Sequence, residues 1–362
     1  MLYATQQYLE KMRKIARNEA KKLEKFDNVV SIFVYGSVAR GDITNSSDID
    51  MTIILNSHEK SYQVVTCDGI TISEEFHPKK DYTDVEKLSA RIYDAWIIYD
   101  PTNFLRKKKL ELMKIYFTPK MKIKRIIPKL QLAENSLKKA KIALSKRDFE
   151  SLPLHLRDFS ENIGHVILDI ANKTPSMRRF LYNMKSIASN LENLLLYDYM
   201  VRILGFDKYN ERWFDFAIKG VRDMQKLFYA YPLDDQNKKE REIMSSLISE
   251  EYIKGTEELV ENGEYESALF PCLLWESMVL FRRNPVMVSF FKSRGENHEI
   301  ELNNAMLIPS LKERGFMKEF FDYHSEIVGS KLFSNKEYQE RVKLADAYLV
   351  IINEMVRKIV IV

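Results

Sequence analysis

Two carboxylates one residue apart, Asp48 and Asp50, follow a glycine–serine pair, Gly36-Ser37, with Val38–Ser47 between them. The runs are Val34-Tyr35-Gly36-Ser37-Val38-Ala39-Arg40-Gly41-Asp42 and Ser46-Ser47-Asp48-Ile49-Asp50-Met51. On a strand, side chains alternate, so Asp48 and Asp50 share one face while Ile49 and Met51 take the other. Two like charges held at one point are costly unless a cation neutralises them, and hard oxygen donors select Mg²⁺ or Mn²⁺. Phosphoryl and nucleotidyl transfer use such a site to orient a triphosphate and offset its charge. A glycine ending a buried strand lets backbone approach a phosphate, and Ser37 with the amides that open the next helix offers donors to an anion. Alone, Gly36-Ser37 reads as an ordinary strand-to-helix turn and Asp48 as a surface acid; their conjunction points to chemistry.

The elements that must position these residues are legible around them. Tyr8, Met12, Ile15, Ala16, Ala20 and Leu23 recur at steps of three and four, which predicts an amphipathic helix over 3–25. The β-branched and aromatic run 29–35 stops at Gly36 and reads as a buried strand. A second strand is expected over 48–55. Weaker strand signals at 62–67 and 70–76 are separated by Asp68-Gly69, a tight-hairpin signature. Residues 83–93 read as helical and 95–99 as a last strand. Asp100-Pro101 supplies an N-cap and a first-turn proline for a helix over 101–116.

A third carboxylate has a place on the 70–76 strand. Regular alternation puts Ile70, Ile72, Glu74 and Phe76 on the core face and Thr71, Ser73, Glu75 and His77 on the other, so Glu75 points to the metal side. A bulge would substitute Glu74.

These residues resemble the polymerase-β-type nucleotidyltransferase superfamily, whose signature is a hydrophobic residue, Gly-Ser, a gap of about ten residues and Asp-hydrophobic-Asp. Gly-Ser-Val-Ala-Arg-Gly followed by Ser-Asp-Ile-Asp is similar to the minimal and aminoglycoside-modifying, kanamycin-type branches. The likeness is close over about twenty residues. It implies metal ligands Asp48, Asp50 and Glu75, a nucleotide held by Gly36, Ser37, Arg40 and Ser47, Mg²⁺ or Mn²⁺ as cofactor and an NTP as co-substrate. In the kanamycin-type enzymes a glutamate of the helical domain is the general base. Here Arg157, Glu161 and His165 lie at steps of four on one helix face, within a Glu-x-x-Gly-basic stretch similar to theirs. The resemblance implies Glu161 as base, with His165 at a site usually held by lysine. The same triplet also reads as a helix ion pair. A helical ribonuclease motif of Arg, four to six residues, then His is not matched by the longer spacing of Arg157 and His165.

The fold class expected is an α+β N-terminal domain, a mixed sheet of four or five strands with helices, followed by all-α domains. From Pro119 the pattern turns to long helical periods at 123–147, 150–172, 176–203 and 210–230. After a polar break at 232–239 it resumes at 240–262, 264–282, 299–313, 315–328 and 335–360. The boundaries expected are 1–118, 119–231 and 232–362. With 45% hydrophobic and 30% charged residues the chain has the composition of a folded globular protein. A net charge of +4 is far below that of a protein that coats nucleic acid. The basic run Arg106–Lys129 either holds polyphosphate or an RNA backbone or solvates helix faces. Cys67 and Cys272 are too few for a disulfide framework, which fits a reducing cytoplasm. His58, His155, His298 and His324 sit in no metal-ligand spacing. No apolar run approaches a membrane span and no signal peptide opens the chain, so a cytoplasmic protein is expected, with a small-molecule acceptor, RNA and self-association left open.

Overall fold

A computed structural model of the chain describes residues 4–57, 60–176, 180–209, 211–232, 250–265, 267–268, 285–297, 301 and 303–361. It divides into two compact units, Met1–Lys122 and Ile123–Val362. His58, Cys272, His298, nearly all of the 232–239 break and most of the helix expected at 264–282 fall outside the described residues.

The first unit opens with α1 (Gln6–Leu23), capped by the Thr5 hydroxyl, which accepts the Tyr8 N–H, and closed by Lys21 and Lys22 in its last turn. The strands β1 (Val29–Tyr35), β2 (Ile49–Leu55), β3 (Ser61–Cys67), β4 (Ile70–Pro78) and β5 (Trp96–Tyr99) form one sheet in the order β3-β4-β2-β1-β5. β2 and β4 run parallel and the other neighbours antiparallel. The expected mixed sheet is therefore present, with helices after it. The β3–β4 hairpin turns at Asp68 and Gly69, both with positive φ, as a type I′ turn requires.

The two sheet faces differ in chemistry. One carries Ile32, Val34, Ile49, Met51, Ile53, Ile70 and Ile72 under Leu9, Met12, Ile15, Ala16 and Leu23 of α1. Each such side chain contributes roughly 1.5–3 kcal/mol when taken out of water. The other is divided. Phe33 and Ile54 pack at its apolar end with Leu105 and Leu112 of α4 (Phe104–Ile115), while Asp50 and Glu75 lie toward its polar end and Asp48 stands just before β2.

Two local expectations are corrected. The 83–93 stretch forms a 3₁₀ turn at Val85–Lys87 and only one α turn, α3 (Ala90–Tyr93). Helix α4 starts at Phe104 rather than Pro101, and Asp100 is not its N-cap: Asn103 holds that position at φ 55°. Asp100 is instead buried. Its Oδ1 accepts the Ser31 hydroxyl at 2.7 Å and its Oδ2 the Arg106 N–H at 2.9 Å, so one carboxylate ties β1 to the first turn of α4.

The second unit is helical: α5 (Pro119–Ser145, which begins in the first unit), α6 (Leu152–Ile170), α7 (Phe180–Asn190), α8 (Leu195–Leu204) and α9 (Glu211–Ala230), then helices at Glu250–Glu261, Pro285–Ser293, Leu307–Glu313, Lys318–Ile327 and Asn335–Ile361. The single helix expected over 176–203 is two. Glu192 turns left-handed at φ 53° and the Asn193 N–H returns to the Ala188 carbonyl, a C-terminal stop that periodicity does not reveal. No helix among the described residues is long and apolar enough to cross a membrane.

Helix α6 is the spine of this unit, buried from Leu152 through Ser160 and again at Ile163, Gly164 and Val166–Leu168. An added Cβ at Gly164 would stand 1.9 Å from Cζ of Phe180 on α7, so the ring occupies the space of a side chain. Gly164→Ala should therefore lower stability by about 1–3 kcal/mol through overpacking. Urea titration of G164A checks this, and adding Phe180→Leu should recover part of the loss.

Candidate active site

Register explains how the first unit gathers its carboxylates. β1 pairs Tyr35 with Asp50, and β2 pairs Asp50 with Ser73 and Thr52 with Glu75. Paired residues share a face, so Asp50, Ser73 and Tyr35 form one row across the sheet. Thr52, Glu75 and Tyr62 form the next. β4 runs without a bulge against both neighbours, which puts Glu75 on the face of Asp50 and Glu74 on the face of α1. Glu74 is fully buried, its Oε2 accepting from Gln63 Nε2 at 2.6 Å and its Oε1 lacking a hydrogen-bond partner among the described residues. Burial holds its carboxyl above the usual range, against the Gln63 hydrogen bond.

Gly36 is demanded twice. Its φ is +71°, and a Cβ there would lie 2.3 Å from Oδ2 of Asp50. Asp50 thus seats its carboxylate against the backbone that ends β1, where any side chain would collide. The helix that follows, α2 (Gly36–Arg40), is a single short turn closed by left-handed Gly41. The Ser37 carbonyl accepts the N–H groups of Gly41 and Asp42, and the Ser37 hydroxyl makes no hydrogen bond among the described residues. Arg40 lies 3.3 Å from Asp42 and 4.0 Å from Asp94. Ser47 is buried, its hydroxyl accepting the Thr44 N–H at 2.9 Å to hold the loop that delivers Asp48 to the start of β2.

The tyrosines record the electrostatics. Burial first, then the nearby charges of Asp48, Asp50 and Glu75, raise the Tyr62 phenol above its ordinary range, against its hydrogen bond to Ser73. Tyr35 is raised by burial and then by Asp50, with Arg91 opposing. Asp48, Asp50 and Glu75 thus all lie within electrostatic reach of Tyr62. Glu75 is also committed: Oε1 accepts the Tyr35 hydroxyl at 2.9 Å, and Oε2 lies 2.6 Å from Arg91 Nη1 and 3.2 Å from His77 Nε2. Arg91 stacks on the Tyr35 ring at 4.4 Å. Among the described residues no group of three or more His, Cys, Asp or Glu is already arranged to hold a metal. Oxygen donors from Asp48 and Asp50 nevertheless suit a hard divalent ion.

Arg91 is the residue that sequence reasoning did not find. It stands in a four-residue helix with no motif around it, and its only signal was a cation on a segment bordering the strand that carries Glu75.

In the second unit, Arg157 is almost fully buried, pairs with Asp158 and lies 3.6 Å from Glu161. Glu161 is 4.0 Å from His165 Nε2. Burial, and then Lys129, lowers the His165 pKa to about 4, so the ring is neutral near pH 7 and its contact with Glu161 is not an ion pair. A neutral imidazole also leaves this position without the charge a lysine would bring. His155 and His324 each place Nε2 on a backbone carbonyl, of Ala305 and Glu150. In the basic run, Arg106, Lys108, Lys109, Lys120 and Arg125 bind acceptors within their own units, Lys120 to Glu86 and Arg125 to Asp169 among them.

Residues 13–144 match the nucleotidyltransferase domain family, so the segment holding Gly36, Ser37, Asp48, Asp50 and Glu75 is similar to nucleotidyltransferase domains. A solved structure of a nucleotidyltransferase-like protein from Exiguobacterium sibiricum 255-15 aligns with 84% of this chain and 92% of its own, at 11% identity and a TM-score of 0.37. A likeness at that score carries no further weight. No curated protein matches the chain.

The His165 ring makes stability pH-dependent. Its folded value of about 4 lies below the ordinary 6.5, so on acidification the unfolded chain takes up the proton first. The contribution is complete above about pH 6.5 and falls toward pH 4, by about 3 kcal/mol in all. Urea unfolding of wild type and His165→Gln between pH 4 and 7.5 should show the extra acid slope only in wild type.

Proposed function

We propose that this chain is a metal-dependent nucleotidyltransferase that moves a nucleoside monophosphate from an NTP, ATP in the first instance, to a hydroxyl of a small-molecule acceptor. The acceptor oxygen bonds to the α-phosphorus, the bond to the leaving oxygen breaks, and pyrophosphate departs. The observation that supports this most strongly is the seating of Asp50 against Gly36, beside Ser37, on the sheet face shared with Glu75, with Asp48 just before β2. Asp48 and Asp50 would hold Mg²⁺ or Mn²⁺, with Glu75 joining once it parts from Arg91. Such an ion, when bound, neutralises triphosphate charge and lowers the pKa of the attacking hydroxyl.

The chain's own residues supply the remaining work. Ser37 donates its hydroxyl to a terminal phosphate oxygen, and Gly36 lets backbone lie close to the nucleotide. Arg40 contributes positive charge nearby, shared with Asp42 and Asp94. Ser47 acts from the loop, holding Asp48 in place. Glu161 is assigned as the base that accepts the acceptor's proton, on the likeness of its Glu-x-x-Gly stretch to the kanamycin-type enzymes.

One observation favours a second reading, a regulatory or antitoxin-like interaction protein on the same fold: both Glu75 oxygens are already engaged by protein groups. Nucleotide binding separates the two. Incubation with labelled NTPs, Mg²⁺ or Mn²⁺ and a panel of hydroxyl acceptors should yield a nucleotidylated product. Asp50→Asn should lower kcat/KM by roughly a hundredfold or more, equivalent to several kcal/mol of lost charge stabilisation, without unfolding the chain. No transfer and no nucleotide binding would select the interaction reading, while product formed on RNA alone would move the acceptor to RNA. Glu161→Gln should reduce kcat by about 10²–10⁴ with KM little changed.

A further inference from the structure

We propose that Arg91 is a built-in competitor of the divalent ion for Glu75, so that the third carboxylate joins the metal site only when Arg91 is displaced from Oε2. This deepens, and rests on, the reading of Asp48, Asp50 and Glu75 as a metal site. Arg91 Nη1 sits 2.6 Å from Glu75 Oε2, a charge-assisted hydrogen bond that occupies one oxygen of the carboxylate. Glu75 Oε1 is held from the other side by Tyr35, whose ring carries the Arg91 guanidinium on its face at 4.4 Å. The three side chains form a closed ring of contacts, so moving Arg91 loosens Glu75 and uncovers the ring of Tyr35. Arg91 also lies within the electrostatic reach of Asp50, so its cation acts on two of the three carboxylates.

The segment carrying Arg91 is suited to such an exchange. It is the single turn α3, and the Arg91 side chain is half exposed while Glu75 is mostly buried. A long, half-solvated side chain on a short helix can swing away and keep its charge hydrated, whereas Glu75 is fixed in the middle of a paired strand. Until it is displaced, Arg91 offsets one charge of the carboxylate cluster, which the divalent ion then takes over. Arg91 is thus a positioning residue: it sets how readily Glu75 is given to the metal.

Mn²⁺ binding to the whole chain, followed by electron paramagnetic resonance without nucleotide, tests this. Arg91→Gln should bind Mn²⁺ roughly two- to fivefold more tightly than wild type, the range expected for losing a partly exposed ion pair at the ligand. Arg91→Lys keeps a competing cation and should remain near wild type, and Glu75→Gln should abolish the difference between wild type and Arg91→Gln. Unchanged or weaker Mn²⁺ binding in Arg91→Gln overturns the proposal, as does tightening in Arg91→Lys equal to that in Arg91→Gln. Should Arg91→Gln fail to fold, as circular dichroism would show, Arg91→Lys and Glu75→Gln carry the decision: Glu75→Gln must weaken Mn²⁺ binding further in Arg91→Lys than the same change at Glu74 does. Mn²⁺ bound by wild type and lost in Asp50→Asn upholds the underlying metal site whichever way Arg91 behaves, and absence of Mn²⁺ binding in all forms removes both.

Discussion

The junction between β1 and α2 admits only one kind of residue, and much of the site depends on it. Tyr35 and Asp50 are partners across β1 and β2, so the carboxylate of Asp50 leans over the residue that follows β1, Gly36. A positive φ and a 2.3 Å approach both exclude a side chain at that position. The same glycine that ends the strand and starts the helix therefore determines where a carboxylate stands relative to Ser37. Strand pairing, turn and site are one constraint: sliding β2 by one residue would turn Asp50 toward α1 and bring Met51 to the polar face.

The sheet separates its charges by face. On the α1 side the apolar layer tolerates Glu74 only buried, hydrogen-bonded to Gln63 and biased toward its neutral form. On the other side Asp50 and Glu75, with Asp48 just before β2, lie where the apolar cover supplied by α4 gives way to partly buried positions. Two adjacent glutamates thus differ through alternation alone. Accumulated negative charge needs a counter-charge, and among the described residues Arg91 provides it at Glu75 while the phenols of Tyr35 and Tyr62 resist ionisation.

What could be read in the sequence followed from local periodicity. The strands at 29–35, 62–67 and 70–76 and the Asp-Gly turn rest on the types of neighbouring residues, helix α1 on a period of 3.6 and the assignment of Glu75 to the Asp50 face on alternation, each interpreted over a few residues. What escaped was decided by contacts between distant segments. Asp100 looked like an N-cap because Pro101 follows it, yet Ser31, far back in the chain, claims one oxygen and draws the carboxylate into the core. The helix over 176–203 broke where Glu192 took a left-handed conformation that its residue type does not advertise. Arg91 could not be singled out, since its importance comes from Tyr35 and Glu75, which belong to two other strands.

The Glu-x-x-Gly-His stretch of α6 shows how a motif divides into packing and chemistry once its neighbours are known. Gly164 is explained by Phe180, whose ring fills the space of a side chain, and Arg157 by burial with Asp158 and Glu161. His165 is explained by a buried, neutral ring packed near Phe180. Each of these would be retained by the demands of folding alone. Glu161 differs, because a carboxylate flanked by a buried guanidinium and a neutral imidazole adds no apolar contact to the helix. If α6 needed only a counter-ion for Arg157, Asp158 already supplies one. A second carboxylate one turn on, 3.6 Å from Arg157 Nη1, is surplus to a single charge pair yet lies against the same buried guanidinium.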